Sequence, residues 1–377
     1  MNKSCLLILC ILFTIRLQIK SQSVVYKIDT AVDFKRHFSV TGTHGLCSLN
    51  DSLLIILQQD EYANRSVLIK KRKSIEISVY NIKSKNTFSK FLALGANAKP
   101  ESFIYNEDIV ADNGIIYFYY ANKLLSYKYE NIDTLPVLQS VDFVSPFHIN
   151  SHPRLRGVFG NQLYYTIDEV DSLYSVDLTT FAFNKSEALC KGNNYRQYIS
   201  FNNISMRKGT IISADPLKLS ISVIKNSKLF STIKIDSALF DTVTISYDRK
   251  SVWNAFQKRT YVETIGFITD DMFYVKYRMR EPEKPSTLKT AYVYITNFGT
   301  YLASNTSDYC NNGDKRWNNP ACMEQPLFLY NNLAIGNKLY MLKDYYSDYS
   351  CQDSLKRSLD SRIMYVLTIE EYLITIK

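Results

Sequence analysis

The stretch GNQLYYTIDEVDSLYSVDLTT, residues 160–180, decides the fold. It reads as a tight turn, an apolar strand, a polar turn and a second strand in which apolar and polar residues alternate. Its first half recurs as GNKLYML in residues 336–342. Looser copies are NDSLLII in residues 50–56, DNGIIYFYYANKLLSYKY in 112–129, KGTIISA in 208–214 and TDDMFYVKY in 269–277. The chain therefore contains six turn-plus-strand units.

The spacing of these units indicates a repeated sheet. The turn anchors are 62, 48, 47, 62 and 67 residues apart, in the order Asp51, Asn113, Asn161, Lys208, Asp270 and Asn337. A four-stranded propeller blade takes roughly 40–50 residues, so the longer gaps leave room for insertions. Packing such sheets radially buries their apolar faces and leaves only short edges. The sequence predicts an all-β chain folded as a single six-bladed β-propeller with four-stranded antiparallel blades; the alternative is a pair of β-sandwiches.

The two ends of the chain are both predicted to be strands. SVVYKID begins at Ser23, and YLITIK begins at Tyr372. We expect these N- and C-terminal strands to share the closing blade of the ring.

The first residues are typical of a secretory signal peptide. One lysine precedes the apolar run CLLILCILFTI in residues 5–15, which is shorter than the roughly 20 residues of a membrane-spanning helix. We expect a signal peptide over residues 1–23 and a propeller domain over residues 24–377. The alternative is an uncleaved anchor, because Arg16 and Lys20 lie close to the cleavage site. A secreted or periplasmic location is predicted, with no stable membrane span.

The composition fits a strand-rich globular protein. The chain holds 29 tyrosines and 20 phenylalanines but only 12 glycines, which supplies strand formers and core material. The net charge of +9 is mild for 377 residues. The run Lys70-Lys71-Arg72-Lys73 is typical of a solvated loop and less so of a contact with an anionic surface. No nucleic acid partner is expected for a secreted protein.

Cysteines and asparagines indicate extracytoplasmic chemistry. Cys310 and Cys322 flank a polar, turn-rich loop that a disulfide would staple, and Cys351 competes for either partner. Five cysteines remain after removal of the signal peptide, so at least one thiol is left unpaired. A monomer is expected, and the alternative is a covalent dimer through an unpaired cysteine. Five N-x-S/T sequons are glycosylation candidates in a eukaryotic host, at Asn50, Asn64, Asn184, Asn203 and Asn305.

The blade rhythm of nearly the whole chain resembles secreted six-bladed propellers of the TolB-like and NHL-like kinds, and more distantly the yellow and royal-jelly proteins. That resemblance implies binding of peptides, carbohydrates or small molecules at the channel mouth, and hydrolase or lactonase activity in some members. No stretch matches a family signature, so no site residue carries over from the resemblance.

Three groups of residues are candidate site residues. His148 and His152 are four residues apart and would share a helix face as metal ligands, although flanking prolines favour a loop. Arg154 and Arg156 follow them and would bind an anion in the same loop. A binding rim that stacks on sugars or apolar ligands is predicted from aromatic side chains in polar surroundings, namely Trp317, Tyr345, Tyr346 and Tyr349.

No catalytic signature is recognised: G-x-S-x-G, the P-loop and G-x-G-x-x-G are absent from the sequence. Acidic pairs at Asp168-Glu169, Asp270-Asp271 and Glu370-Glu371 are typical of solvated strand ends. The sequence favours a secreted binding propeller without a cofactor, whose partner is an extracellular protein, a glycan or a small molecule. The alternatives are a hydrolase or lyase with carboxylates or histidines converging on the channel, and a structural protein of a cell surface or matrix.

Overall fold

The computed structural model describes the greater part of the chain. The described residues are 21–35, 46–59, 75–92, 109–120, 123–130, 137–142, 153–167, 170–190, 203–217, 220–234, 250–251, 254–255, 260–267, 269–281, 284–296, 300–308, 332–335, 338–343 and 361–375. All structural statements below concern these residues.

Within them, β-strands follow one another along the chain. Strand β1 spans Ser21–Lys35. Sheet 1 holds β2 (Leu46–Asn50), β3 (Leu53–Gln59), β4 (Ile75–Asn81) and β5 (Thr87–Leu92). Sheet 2 holds β6 (Ile109–Asp112), β7 (Ile115–Tyr120), β8 (Lys123–Lys128) and β9 (Val137–Asp142). Sheet 3 holds β10 (Pro153–Phe159), β11 (Gln162–Ile167), β12 (Leu173–Asp177) and β13 (Phe183–Lys185).

The second half repeats this arrangement. Sheet 4 holds β14 (Ile204–Arg207), β15 (Thr210–Ala214), β16 (Ser220–Lys225) and β17 (Lys228–Lys234). Sheet 5 holds β18 (Tyr261–Phe267), β19 (Met272–Glu281), β20 (Lys284–Thr296) and β21 (Thr300–Asp308). Sheet 6 holds β22 (Asn332–Ile335), β23 (Lys338–Lys343), β24 (Ser361–Thr375) and the first strand, β1. Each sheet has four strands that pair antiparallel in sequence order, apart from the added β1.

The closing sheet joins the two ends of the described chain. Strand β1 pairs antiparallel with β24 in the order β1-β24-β23-β22, with Ser23 opposite Leu373 and Val32 opposite Met364. The predicted clasp between the N- and C-terminal strands is confirmed. Because the two strands come from opposite ends of the chain, their hydrogen bonds hold the ring closed.

Two-residue turns with positive φ set the first hairpin of three sheets. The φ angles are 47° and 80° at Asn113-Gly114, and 44° and 75° at Lys208-Gly209. Gly160-Asn161 has φ angles of 56° and 63°. Turns of this hand match the right-handed twist of the strands they join, and glycine and asparagine adopt them at low cost. Three of the six turn anchors read from the sequence repeat are thus hairpin turns of this kind.

A second repeated turn joins the two outer strands of sheets 1 and 3. The Oδ1 atom of Asn81 accepts hydrogen bonds from the backbone amides of Lys83 and Ser84, at 2.9 and 3.0 Å. Asp177 Oδ1 accepts hydrogen bonds from the amides of Thr179 and Thr180 in the same way, both at 2.9 Å. The search for repeats within the sequence missed this turn because the capping residue is an asparagine in one copy and an aspartate in the other.

Apolar clusters between successive sheets form the core. Because side chains alternate across a strand, Tyr165 packs toward sheet 2 while Tyr164 packs toward sheet 4. Further clusters join sheets 1 and 2, sheets 4 and 5, and sheets 6 and 1, the last through Tyr340 against Leu54 and Ile56. Strand β18 also contacts β22, and β21 contacts β1. The sheets thus follow one another around a closed ring, and the predicted all-β, propeller-type fold of four-stranded antiparallel sheets is confirmed.

Candidate functional site

The first strand of each sheet lines the inside of the ring, and neighbouring inner strands run in the same direction. Arg156, Gly157 and Phe159 of β10 lie beside Ile204, Met206 and Gly209 of sheet 4, in ascending order. At the junction of sheets 4 and 5, the backbone amide of Val262, near the start of β18, donates a hydrogen bond to the carbonyl of Pro216. The ring therefore has a turn end, where the inner strands meet their first hairpin, and a connection end, where the inner strands begin.

Strand β10 carries two arginines near the connection end. Arg154 and Arg156 are each only 9% exposed. The register between β10 and β11 shifts between Leu155 and Gly157, so Arg156 is the extra residue of a β-bulge. A bulge re-aims a side chain without interrupting the sheet. Here it directs the guanidinium into the interface with sheet 4.

The guanidinium of Arg156 donates hydrogen bonds to a threonine hydroxyl and to a backbone carbonyl of sheet 4. Its Nε and Nη2 atoms donate to Thr166 Oγ1 at 3.0 and 2.9 Å, and Nη1 donates to the carbonyl of Ile204 at 3.4 Å. The fully buried thiol of Cys190 lies within the field of this arginine. Burial raises the pKa of Cys190 to about 12, the Arg156 charge acts to lower it, and Asp171 adds to the rise. The thiol therefore stays protonated and unreactive near neutral pH.

Sheet 4 adds polar groups at the same end. Asn203 immediately precedes β14 and is fully buried, and its Nδ2 atom donates to the carbonyl of Ala214 at 2.9 Å. Asp215 is 6% exposed and accepts a hydrogen bond from the amide of Leu217 at 3.1 Å. These contacts fix the loop between β15 and β16 at the connection end.

Sheet 5 has a buried ion pair between its first two strands, β18 and β19. Lys276 Nζ lies 2.9 Å from Glu263 Oε2, and the two side chains are 6% and 7% exposed. The register between β18 and β19 shifts between Val262 and Thr264, so Glu263 is also the extra residue of a bulge. By contrast, the bulge of β2 carries Leu49, which packs in the apolar core between sheets 1 and 2. A bulge in an inner strand therefore does not require a charge.

Sheets 3, 4 and 5 thus each contribute buried charged side chains. These side chains lie on the first or second strand of a sheet or, in sheet 4, on the residue that follows the second strand. We call this group the inner charged cluster; it comprises Arg154, Arg156, Asp215, Glu263 and Lys276. Burying a charge is costly unless it is paired or hydrogen-bonded. Such groups are concentrated at sites where a protein binds or transforms a ligand.

The structure places few of the site residues predicted from the sequence. Arg154 and Arg156 lie in strand β10, so their assignment to a loop was wrong; the expectation of anion binding there stays a prediction. Other predictions fall outside the described residues: the histidine pair His148 and His152, the rim residues Trp317, Tyr345, Tyr346 and Tyr349, and the cysteines Cys310, Cys322 and Cys351. The sequence reasoning missed Glu263, Lys276 and Asp215. The sequence did contain a signal for Glu263 and Lys276, because each is a charged residue within an apolar strand, VETIGF in residues 262–267 and YVKY in residues 274–277.

The sequons differ in their surroundings. Asn50 and Asn184 are exposed, and Asn305 lies in β21. The Asn203 side chain is fully buried and its Nδ2 atom is hydrogen-bonded to the carbonyl of Ala214, a position that disfavours a glycan in the folded chain. Asn64 is outside the described residues.

The acidic pair at the end of sheet 5 has a structural role. Asp270 accepts hydrogen bonds from Lys208 Nζ and Arg207 Nε, both at 2.6 Å, and thereby ties the first turn of sheet 4 to that of sheet 5. The hydrogen bonds from Lys208 and Arg207 lower the pKa of Asp270. In the part of the chain that the structure describes, no three histidine, cysteine, aspartate or glutamate side chains form a metal-binding group. Within the same part, no helix has the length and apolarity needed to cross a membrane.

Comparison with known proteins supports the fold. No family profile and no curated protein sequence matches the chain. Among solved structures, a member of the DUF4221 family from Bacteroides vulgatus is 10% identical, with a TM-score of 0.57 over 93% of this chain and 99% of that one. A protein from Bacteroides fragilis whose name describes it as exported is 14% identical, with a TM-score of 0.50 over 93% and 95% of the two chains. The chain is therefore similar in fold to these propeller-type proteins, and the propeller resemblance read from the sequence is confirmed.

Proposed function

We propose that the chain is a secreted or periplasmic binding protein that recognises a protein, glycan or small ligand at the connection end of the ring. The location is supported by the apolar run in residues 5–15 and by the fold shared with a protein described as exported. Sequencing the N-terminus of the protein from its native compartment tests this part. A mature chain that begins near residue 24 is expected, and an intact Met1 in the cytoplasm would contradict it.

The observation that carries the binding site is the pair of charged bulge residues, Arg156 and Glu263. Both lie on inner strands, both are buried, and a bulge re-aims each side chain. An apolar residue packs well at the bulge of β2, so an apolar alternative is available to this fold. Buried charges rarely repay their desolvation in stability alone, which supports a role in recognition.

The segments that join successive sheets begin and end at the connection end. They hold 10, 16, 10, 18, 26 and 23 residues between the last strand of one sheet, or β1, and the first strand of the next. Loops on a rigid ring are natural recognition elements because the ring fixes their ends. The inner charged cluster would then form the floor of the site.

A ligand screen with a charge-altered variant tests the proposal. Thermal unfolding is measured against panels of sugars, oligosaccharides, short peptides and carboxylic acids. We expect one class to raise the melting temperature of the wild type, and the rise to be lost in Arg154→Gln and kept in Lys83→Gln, because Lys83 is exposed in the turn between β4 and β5 at the opposite end of the ring. Equal stabilisation of a folded Arg154→Gln variant would contradict the proposed site. A stabilising compound that is consumed would replace binding with catalysis.

A further inference from the structure

The outer edge of sheet 4 presents two large apolar side chains to solvent. Leu229 and Phe230 of β17 are 57% and 63% exposed, the two most exposed large hydrophobic side chains among the described residues. The register between β16 and β17 shifts between Val223 and Ile224, which pair with Ser231 and Leu229. Phe230 is therefore the extra residue of a bulge on the rim of the ring.

The hairpin that carries these side chains is basic. Residues 220–234 contain Lys225, Lys228 and Lys234 and no acidic residue. Lys225 Nζ lies 4.3 Å from the centre of the Phe230 ring, within the range of a cation–π contact. We call this group, Lys225, Lys228, Leu229, Phe230 and Lys234, the rim patch.

The rim patch is held in place before any partner arrives. The turn between β16 and β17 has φ angles of 50° at Asn226 and 61° at Ser227. Ser186 Oγ of sheet 3 donates to the carbonyl of Ser227, and the hydroxyls of Ser227 and Tyr164 lie 3.2 Å apart. The backbone of the turn therefore has little conformational entropy left to lose when the patch binds.

The charge and the bulge select the partner. A second copy of the chain would bring lysines against lysines, and like charges oppose that contact. Addition of a partner strand to β17 is opposed by the bulge and by the edge lysines. An anionic lipid surface fits both features, because leucine and phenylalanine side chains enter the interface while lysines reach the headgroups. We propose that the rim patch attaches the protein to anionic lipid membranes, independently of the ligand site at the connection end.

Co-sedimentation with vesicles tests this proposal. The probe is a vesicle of equal parts phosphatidylglycerol and phosphatidylcholine, compared with phosphatidylcholine alone. We expect the full-length mature protein to sediment with the anionic vesicles and to be released by added salt, because the lysine contribution is screened. Absence of binding to the anionic vesicles overturns the proposal; the lysines would then only keep the edge of sheet 4 from pairing.

Matched variants separate this patch from the overall charge of the protein. The double variant L229S/F230S keeps all lysines, and we expect its affinity for anionic vesicles to fall by at least about tenfold. The control is Phe88→Ser, because Phe88 is 50% exposed on β5, the outer strand of sheet 1. We expect Phe88→Ser to bind like the wild type. Equal binding by L229S/F230S and the wild type, or equal losses in both variants, would overturn the assignment.

Discussion

The buried ion pair between Glu263 and Lys276 gives a quantitative prediction about the inner charged cluster. The two groups are 2.9 Å apart and almost fully buried, so removing one leaves the other charge buried inside sheet 5 without this ion-pair partner. We expect Glu263→Leu and Lys276→Met each to cost about 3–5 kcal/mol in free energy of unfolding. The double variant E263L/K276M removes both charges and keeps the volume filled, and we expect it to match or exceed the wild type by up to about 4 kcal/mol.

Urea unfolding followed by circular dichroism measures these differences. The control is Lys123→Met, which breaks an exposed pair with Asp142 at 3.6 Å and is expected to change stability little. The reasoning fails if either single variant costs less than about 1 kcal/mol, or if the double variant loses as much as the two single variants together. A stable double variant would mean that the fold does not need these charges and would strengthen their link to recognition.

Three further predictions follow from individual residues. Gly209→Ala is expected to destabilise more than Gly160→Ala, because both have positive φ but only the Cβ at Gly209 would meet a phenylalanine ring, at 2.6 Å; equal losses in thermal unfolding would contradict this. Asp270 has a lowered folded pKa, so its contribution to stability is present above its unfolded pKa and disappears as the pH falls through the folded value. The stability difference between the wild type and Asp270→Asn should therefore shrink on acidification, and a pH-independent difference would refute it. Cys47 and Cys190 are free and buried, with raised thiol pKa values, so iodoacetamide should label them only after unfolding. Rapid labelling of the native protein would contradict the burial of these two thiols.

The fold was accessible from the sequence because its signals are local. Turn residues such as Asn113 and Asn161 precede apolar strands, and their φ angles in the structure match that reading. The pairing of Ser23 with Leu373 is not local, but it follows once a ring of sheets must be closed. A repeat of local units therefore carries long-range information.

The inner charged cluster was much less accessible. Arg154 and Arg156 were selected for their proximity to two histidines, and their assignment to a loop was wrong because strand β10 begins at Pro153. Glu263 and Lys276 lie on different strands, and a bulge shifts the alternation that would have placed them. Asn203 illustrates the same limit: a sequon is a local pattern, whereas burial depends on the neighbouring sheet.

The proposed function rests on the connection end as the place where the protein meets its ligand. Hydrogen–deuterium exchange, measured with and without the best compound from the ligand screen, tests this most directly. The account predicts that protection increases at the starts of β10, β14 and β18, around Arg154, Asn203 and Glu263. Protection confined to the turn end, at Gly160 and Gly209, would contradict it.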